Sequence, residues 1–543
     1  MASCIPATTL RFIQVLFGTS FSVVATVFAL GFPAAAVGQS IPSTPALARD
    51  RSPLGDLERD LTDIFNDPKF SNATWGVEVQ SLQTGAYLFQ LNPTKSFIPA
   101  SNFKLFTAAE ALSLLGPDFR YTTQLVTTGR ISDGTLRGDL VIRGAGDPTL
   151  GSEQMFPDSN RVSIFDAWAD SLSKSGIRRI AGSIVGDDSY FTDDLYPNGW
   201  SIEDIPFYYA MQTTALAYEE NQVTVSVSPG ASKGSPVLYE LNPNTDYVTV
   251  ENRGSTTRDS LVLKRRHQPD SVLAAGATQI DISRDMGSNN ITIAGTMPLS
   301  AKATTQQIAV EDPTLYAATV FREVMEEHGI TVIGQTRVSR APTAGSTPSK
   351  PYPWLKARVL ASYVSPPLSS IVSVMNKTSD NLFAEELFRT AAKEVGGEGS
   401  WSRGAEVMKR YLASVSIDTN RTAIYDGSGL SRMDLVSPQQ IVTLLRTMHE
   451  RQKSSQSFYE SLPIMGVDGT LANRMKGTAA AGNVRAKTGF VTGVRSISGY
   501  LNTRDGEPLA FSIIGNNFTI PVHEANNLQD LVLLRLVNFS REK

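Results

Sequence analysis

Two periodicities divide this chain. Apolar positions recur at helical spacing over Asp56–Phe65. Thr74–Gln80 and Ala86–Leu91 then alternate as strands, and a strong helical pattern covers Ser101–Leu115. From Tyr121 to Gly295 the period shortens to that of strands, with turn dipeptides such as Asp133-Gly134 between runs like Thr122–Thr127, Asp139–Arg143, Gln222–Ser228 and Asn290–Ala294. Helical patterns return at Glu311–His328, Leu368–Met375, Asn381–Val395, Arg403–Ala413 and Pro438–Gln452. Three closing strands (Val484–Lys487, Val494–Leu501, Leu509–Ile514) precede a last helix, Ala525–Phe539. The pattern predicts mixed α and β ends around a β-rich middle. Ala341–Pro353, with four prolines in thirteen residues, reads as an internal linker.

The start of the chain follows neither period. Phe12–Phe32 is mostly apolar, with Arg11 the one charge in the first forty-eight residues, and Pro33-Ala34-Ala35-Ala36 supplies small residues for cleavage. Residues 1–36 therefore read as a secretory signal and 37–55 as a tether, although the apolar stretch is also long enough to be an uncleaved anchor. Membrane contact is expected only through that segment.

Composition removes several classes of function. The 543 residues are 41% hydrophobic and carry a net charge of −4, so the chain can bury several cores and has no basic field for nucleic acid. One cysteine, Cys4, excludes an internal disulfide framework. The four histidines (His267, His328, His449, His523) form no H-E-x-x-H pair, which argues against a zinc hydrolase.

Three short motifs carry chemistry. In Ser101-Asn102-Phe103-Lys104 a hydroxyl and an amine share one helical face, where a lysine neutralised by burial can take the serine proton. Alone this means little, since the same spacing occurs at Ser171/Lys174 and Ser540/Lys543. Ser379-Asp380-Asn381 is equally an ordinary helix cap, and Lys487-Thr488-Gly489 an ordinary strand end. Each tripeptide is expected on the order of 0.1 times or fewer by chance. All three in this order decide the reading, because S-x-x-K, S-D-N and K-T-G together mark penicillin-binding proteins and class A β-lactamases.

The chain resembles the low-molecular-mass class C penicillin-binding proteins, D-alanyl-D-alanine carboxypeptidases/endopeptidases with large inserted domains. Gly144–Leu150, Gly186–Phe191, Ser365–Leu368, Asn376–Asn381, Asp426–Arg432 and Gly466–Leu471 match that family's pattern, over roughly Leu57 to Val537. The 278 residues between Ser101 and Ser379 exceed what a compact β-lactamase needs, and the family carries its insert there.

The resemblance implies an α+β fold: a β-lactamase-like transpeptidase core (56–120 and 354–543) with an antiparallel sheet between helices. It is interrupted by a second domain (121–205 and 297–353) and a β-rich third (206–296). It implies a Ser101 nucleophile, Lys104 as base, Ser379 relaying a proton, Asn381 positioning Lys104, and Lys487 with Thr488 and Gly489 holding the terminal carboxylate. The backbone N–H groups of Ser101 and Phe490 would form the oxyanion hole. Arg432 and an acid matched to Asp187, with Asp188 beside it, would hold the zwitterionic end of the substrate's side chain. Asp147 reads as a turn residue before Pro148. Peptidoglycan peptides and β-lactams are the implied ligands, with no metal or organic cofactor required, and a bacterial periplasm or envelope the implied location. An inactive wall-binding protein and a β-lactamase remain alternatives on the same fold. An α/β-hydrolase elbow at Gly230-Ala231-Ser232-Lys233-Gly234 fails, because Ser235-Pro236 cannot open the helix it requires.

Overall fold

The computed structural model describes residues 52–157, 163–192, 194–258, 278–341, 356–450 and 452–542. The expected signal, most of the tether, and residues 342–355 of the proline-rich linker region lie outside them. Among the described residues, no helix is long and apolar enough to cross a membrane.

The centre of the core is a five-stranded antiparallel sheet in the order Arg485–Val491, Val494–Asn502, Pro508–Asn516, Thr74–Ser81, Tyr87–Leu91. Strands Thr74–Ser81 and Pro508–Asn516 are buried on both faces: the latter reads as a nearly unbroken apolar run, whereas the former buries Glu78 and Gln80 as well. In Pro508–Asn516 the pleat deals Leu509, Phe511 and Ile513 to one apolar cluster and Ala510 and Ile514 to the other. The first cluster lies under the helices Pro53–Phe65 and Val522–Val537. The former starts with a Ser52 side chain accepting the Gly55 N–H at 3.1 Å, followed by Pro53. The second cluster packs beneath the helical layer of Lys104–Leu114, Leu368–Thr378, Asn381–Gly396, Trp401–Ser414 and Pro438–Glu450.

The chain leaves this core after Leu115 and returns at Ser365. Tyr121 and Ser365 close the neck: the Ser365 hydroxyl accepts the Tyr121 N–H at 2.9 Å, and the Tyr121 carbonyl accepts the Ser365 N–H at 3.1 Å. The insert is built on a mixed sheet in the order Thr336–Ser339, Ile184–Asp187, Leu140–Arg143, Thr122–Thr127, Arg358–Val364. Two expectations are corrected here. Arg358–Val364 was expected in the core but pairs with Thr122–Thr127, because strand-like R-V-L-A-S-Y-V follows the proline-rich stretch directly. Ile164–Lys174, in the region expected to be strands, is a helix whose Phe165, Trp168, Ala169 and Leu172 are buried at helical spacing.

The inner β-rich stretch shares its interior with the rest of the insert. Val223, Val225, Ile291 and Ile293 belong to the same apolar cluster as Ile142, Phe165 and Phe321.

Candidate active site

Ser101 sits in a tight 3-10 turn, Ala100–Phe103, that feeds the α-helix Lys104–Leu114. The regular helix thus starts three residues later than its periodicity predicts. The turn is strained at its first residue, since Ala100 takes φ 48°. Lys104 is fully buried, and its Nζ donates to Ser101 Oγ at 3.0 Å, Asn381 Oδ1 at 2.5 Å and the Ser428 carbonyl at 2.9 Å. Burial lowers its pKa from 10.5 to about 8, although the carboxylates of Asp426, Glu385 and Asp380 pull the other way. An amine so placed can take the proton of the neighbouring hydroxyl.

The second motif lies between two helices. Ser379 ends Leu368–Thr378 in a left-handed conformation (φ 66°), and Asp380 caps Asn381–Gly396 by accepting the Phe383 N–H at 2.9 Å. The capping role is therefore real, and it belongs to Asp380. Its neighbours turn into the cleft. Asn381 bonds Lys104 with its oxygen and gives its Nδ2 to the Tyr209 carbonyl at 2.7 Å.

The third motif lies on Arg485–Val491, an edge strand of the core sheet. Lys487 is fully buried, with Nζ 2.8 Å from Ser379 Oγ. Burial first, then the positive charges of Lys104 and Arg495, push its pKa well below the usual lysine range. The Thr488 hydroxyl bonds Thr470 at 3.0 Å. Gly489 is required by contact: a Cβ there would stand 2.3 Å from Ser496 Oγ, 2.8 Å from the Pro99 carbonyl and 2.9 Å from the Asn102 nitrogen. The serine turn is laced to this sheet by Asn102 Nδ2 to the Lys487 carbonyl at 3.0 Å and Ser496 Oγ to the Pro99 carbonyl at 2.6 Å.

These groups open onto a cleft of about 730 Å³ lined by Ser101, Ser379, Asn381, Arg432 and Phe490. Phe490 stands about half exposed at the rim, and Arg432 donates to the Thr492 carbonyl at 2.8 Å. Asp187 is not brought to the cleft. It ends the buried strand Ile184–Asp187, where its carboxylate accepts the Ser189 N–H at 3.3 Å. Asp188 accepts from the Thr314 hydroxyl at 2.8 Å, with Arg340 3.6 Å away. Both matched acids are therefore corrected: they serve the insert's interior. Besides the helix-capping Asp380, the acids lining the cleft are Glu203 and Asp204, and Asp204 accepts the Tyr209 hydroxyl at 3.0 Å. They come from an irregular segment with no periodicity to single them out, although W-S-I-E-D concentrates acids beside an aromatic.

Glu385, also unpredicted, accepts the N–H groups of Gly427 and Ser428 and so holds the loop whose carbonyl meets Lys104. Asp147 stabilises its turn, as expected, by accepting the Thr149 N–H at 2.9 Å. Of the other S-x-x-K matches, Lys174 pairs with Asp170 on an exposed face. The G-x-S-x-G serine, Ser232, faces Ser235 at 2.8 Å ahead of a strand. No group of metal-ligating side chains occurs among the described residues.

Comparison with known proteins places the chain in a family and supports its fold. The family model of D-Ala-D-Ala carboxypeptidase 3 (S13) matches residues 57–535. A D-alanyl-D-alanine carboxypeptidase of an Actinomadura species is 34% identical over 510 residues, covering 92% of this chain and 88% of that protein. The D-alanyl-D-alanine carboxypeptidase DacB of Haemophilus influenzae is 26% identical over 455 residues, covering 83% and 87%. The crystal structure of penicillin binding protein 4 from Haemophilus influenzae superposes with a TM-score of 0.71 at 24% identity, covering 88% of this chain and 98% of that one.

Proposed function

Since the chain belongs to the D-Ala-D-Ala carboxypeptidase 3 (S13) family, we propose that it removes the terminal D-alanine of peptidoglycan stem peptides through an acyl-enzyme on Ser101. Family membership makes it a serine-type D-Ala-D-Ala carboxypeptidase. The observation that carries the residue assignment is the burial of Lys104 between Ser101 and Asn381.

Neutral Lys104 takes the Ser101 proton as Oγ attacks the carbonyl between the two D-alanines. The oxyanion is received by the N–H groups of Ser101 and Phe490, a contribution of roughly 3–4 kcal/mol per donor in comparable sites. The proton held by Lys104 is relayed through the Ser379 hydroxyl, itself bonded to Lys487, to the departing amine, the C–N bond breaks, and free D-alanine leaves with Lys104 neutral again. Lys487 and Thr488 hold the terminal carboxylate, which offsets the cost of a buried ammonium. Water then attacks the ester and regenerates the hydroxyl. Arg432 and Asp204 bind the charged end of the stem peptide's side chain, with Asp204 taking the place first matched to Asp187. The same acyl transfer on a cross-link amide gives endopeptidase activity. β-Lactams acylate Ser101 and leave it slowly, and the working location is the bacterial envelope.

Intact-protein mass after incubation with benzylpenicillin tests this reading. A persistent adduct on the wild type and none on Ser101→Ala is expected. An adduct on both proteins, or a folded wild type that takes none and leaves penicillin intact, overturns it.

A further inference from the structure

The helix Asn381–Gly396 places Asn381, Glu385 and Arg389 at steps of four, so all three share one face. The first two serve Lys104, directly and through the Gly427–Ser428 loop. The third is fully buried, and its guanidinium spends all five of its N–H groups on one neighbourhood. Nε donates to the Gly399 carbonyl at 3.0 Å. Nη1 donates to the carbonyls of Asp194 at 3.0 Å and Thr213 at 2.9 Å. Nη2 donates to the carbonyl and hydroxyl of Thr192 at 2.7 and 3.3 Å. The plane is sandwiched between the rings of Phe191 and Trp401, 4.6 and 4.2 Å from their centroids.

Thr192 and Asp194 begin, and Thr213 ends, the stretch that forms the inserted wall of the cleft. That stretch supplies Ser201, Glu203, Asp204, Tyr208, Tyr209 and Met211. Among its described residues it contains no strand, only the 3-10 turn Tyr208–Ala210, so no sheet ladder fixes its shape. Its ends meet directly where the Thr213 N–H donates to the Leu195 carbonyl at 3.2 Å, and Arg389, which grows from the helix that starts with Asn381, bonds carbonyls from both ends at once. We propose that Arg389 is a positioning residue for substrate selection: it staples the two ends of segment 192–213 and thereby sets Asp204 against Arg432 across the cleft. A lysine there could supply three donors from a single nitrogen and could not span carbonyls from both ends of the segment.

The inference rests on the peptidase reading of the cleft. Failure of that reading would already appear in the wild type, as absence of a Ser101–penicillin adduct. The test compares wild type, Arg389→Lys and Arg389→Met on three probes. These are a D-Ala-D-Ala peptide bearing a diamino-acid side chain with a free amine and carboxylate, the same peptide with alanine at that position, and benzylpenicillin. The expected result is a loss of at least tenfold in kcat/KM on the first peptide. The truncated peptide and the rate of penicillin acylation should change less than threefold, with cleavage by an added protease newly confined to 194–208. Equal losses on all three probes, or unchanged preference between the peptides, overturn the proposal. Failure of both variants to fold also overturns it, because Arg389 would then serve the fold and not the wall.

Discussion

Lys487 Nζ lies 2.8 Å from Ser379 Oγ, joining an edge strand to a helix–helix loop. The same ammonium donates to the Thr488 carbonyl at 2.8 Å. Opposite it, Lys104 holds Ser101 and Asn381, so two buried lysines face the reacting hydroxyls from two sides. Burial is the larger effect on both; the charge of Lys104 further lowers the proton affinity of Lys487, while the carboxylates of Asp426, Glu385 and Asp380 raise that of Lys104. The arrangement therefore favours one neutral amine to act as base and one site hungry for an anion.

The proposed mechanism makes Ser101 and Lys104 one unit, and removing either member of such a unit costs about as much as removing both, on the order of 10⁴-fold or more in rate. Lys104→Ala should lose benzylpenicillin acylation as fully as Ser101→Ala when adduct formation is followed by mass. Acylation of the lysine variant at the wild-type rate removes Lys104 from the role of base.

The lysine pKa fixes the pH profile. At pH 7 an ordinary lysine is about 0.03% neutral, whereas one held at about 8 is about 9% neutral, a gain of roughly 300-fold in competent base. Acylation should therefore rise nearly tenfold per pH unit up to about pH 8 and level off above it. The unfolded chain keeps the proton up to its ordinary pKa. The lysine's contribution to stability should thus rise with pH between about 8 and 10.5, a slope that Lys104→Met abolishes. A flat acylation profile from pH 6 to 9 would assign the proton transfer to another group.

Gly489→Ala tests the contact between the third motif and the serine turn. Two of the three close atoms are backbone, from Pro99 and Asn102, so the strain cannot be relieved by rotating a side chain. A destabilisation of about 1–3 kcal/mol is expected, together with at least tenfold slower acylation as the turn and strand are forced apart. Thermal melts and adduct kinetics measure both. An alanine variant with wild-type acylation means that the strand moves freely past the turn.

Asp204→Asn and Arg432→Ala should each weaken turnover of the charged-side-chain peptide by about tenfold while leaving penicillin acylation within about threefold, by the scale of a lost charge-assisted contact. Asp187→Asn keeps an oxygen for the Ser189 N–H and should leave the kcat/KM of both ligands within about twofold. Comparable losses for Asp187→Asn and Asp204→Asn would return the acid to its first match.

Much of this was legible in the residues. The motif serines and lysines, Asn381, Arg432 and the alternation of the closing strands carry local signals: fixed spacing, or a pleat buried on both faces. The core helices were equally legible, since their apolar stripes repeat over three or four turns. What escaped was set by non-local packing. Asp187 and Asp204 both stand beside exposed-looking turn residues, and only the path of the insert decides which reaches the cleft. Ile164–Lys174 had its helical stripe, hidden among short strands. Arg358–Val364 has a strand pattern, but its partner lies more than two hundred residues earlier in the chain, so no local pattern assigns it to the insert. Glu385 and Arg389 differ from ordinary helix-face charges only in being buried.

Asn102 and Lys487, which touch across the finished cleft, are 385 residues apart in sequence. A chain synthesised from its N-terminus therefore presents Ser101 early, and the strand Arg485–Val491 late. Until that strand is threaded beside Val494–Asn502, the serine turn lacks both its lacing and its oxyanion partner. Catalytic competence is thus a late event of biogenesis: an unfinished or C-terminally clipped chain carries the reactive serine but stays silent toward the wall, with the insert free to fold first as its own apolar cluster.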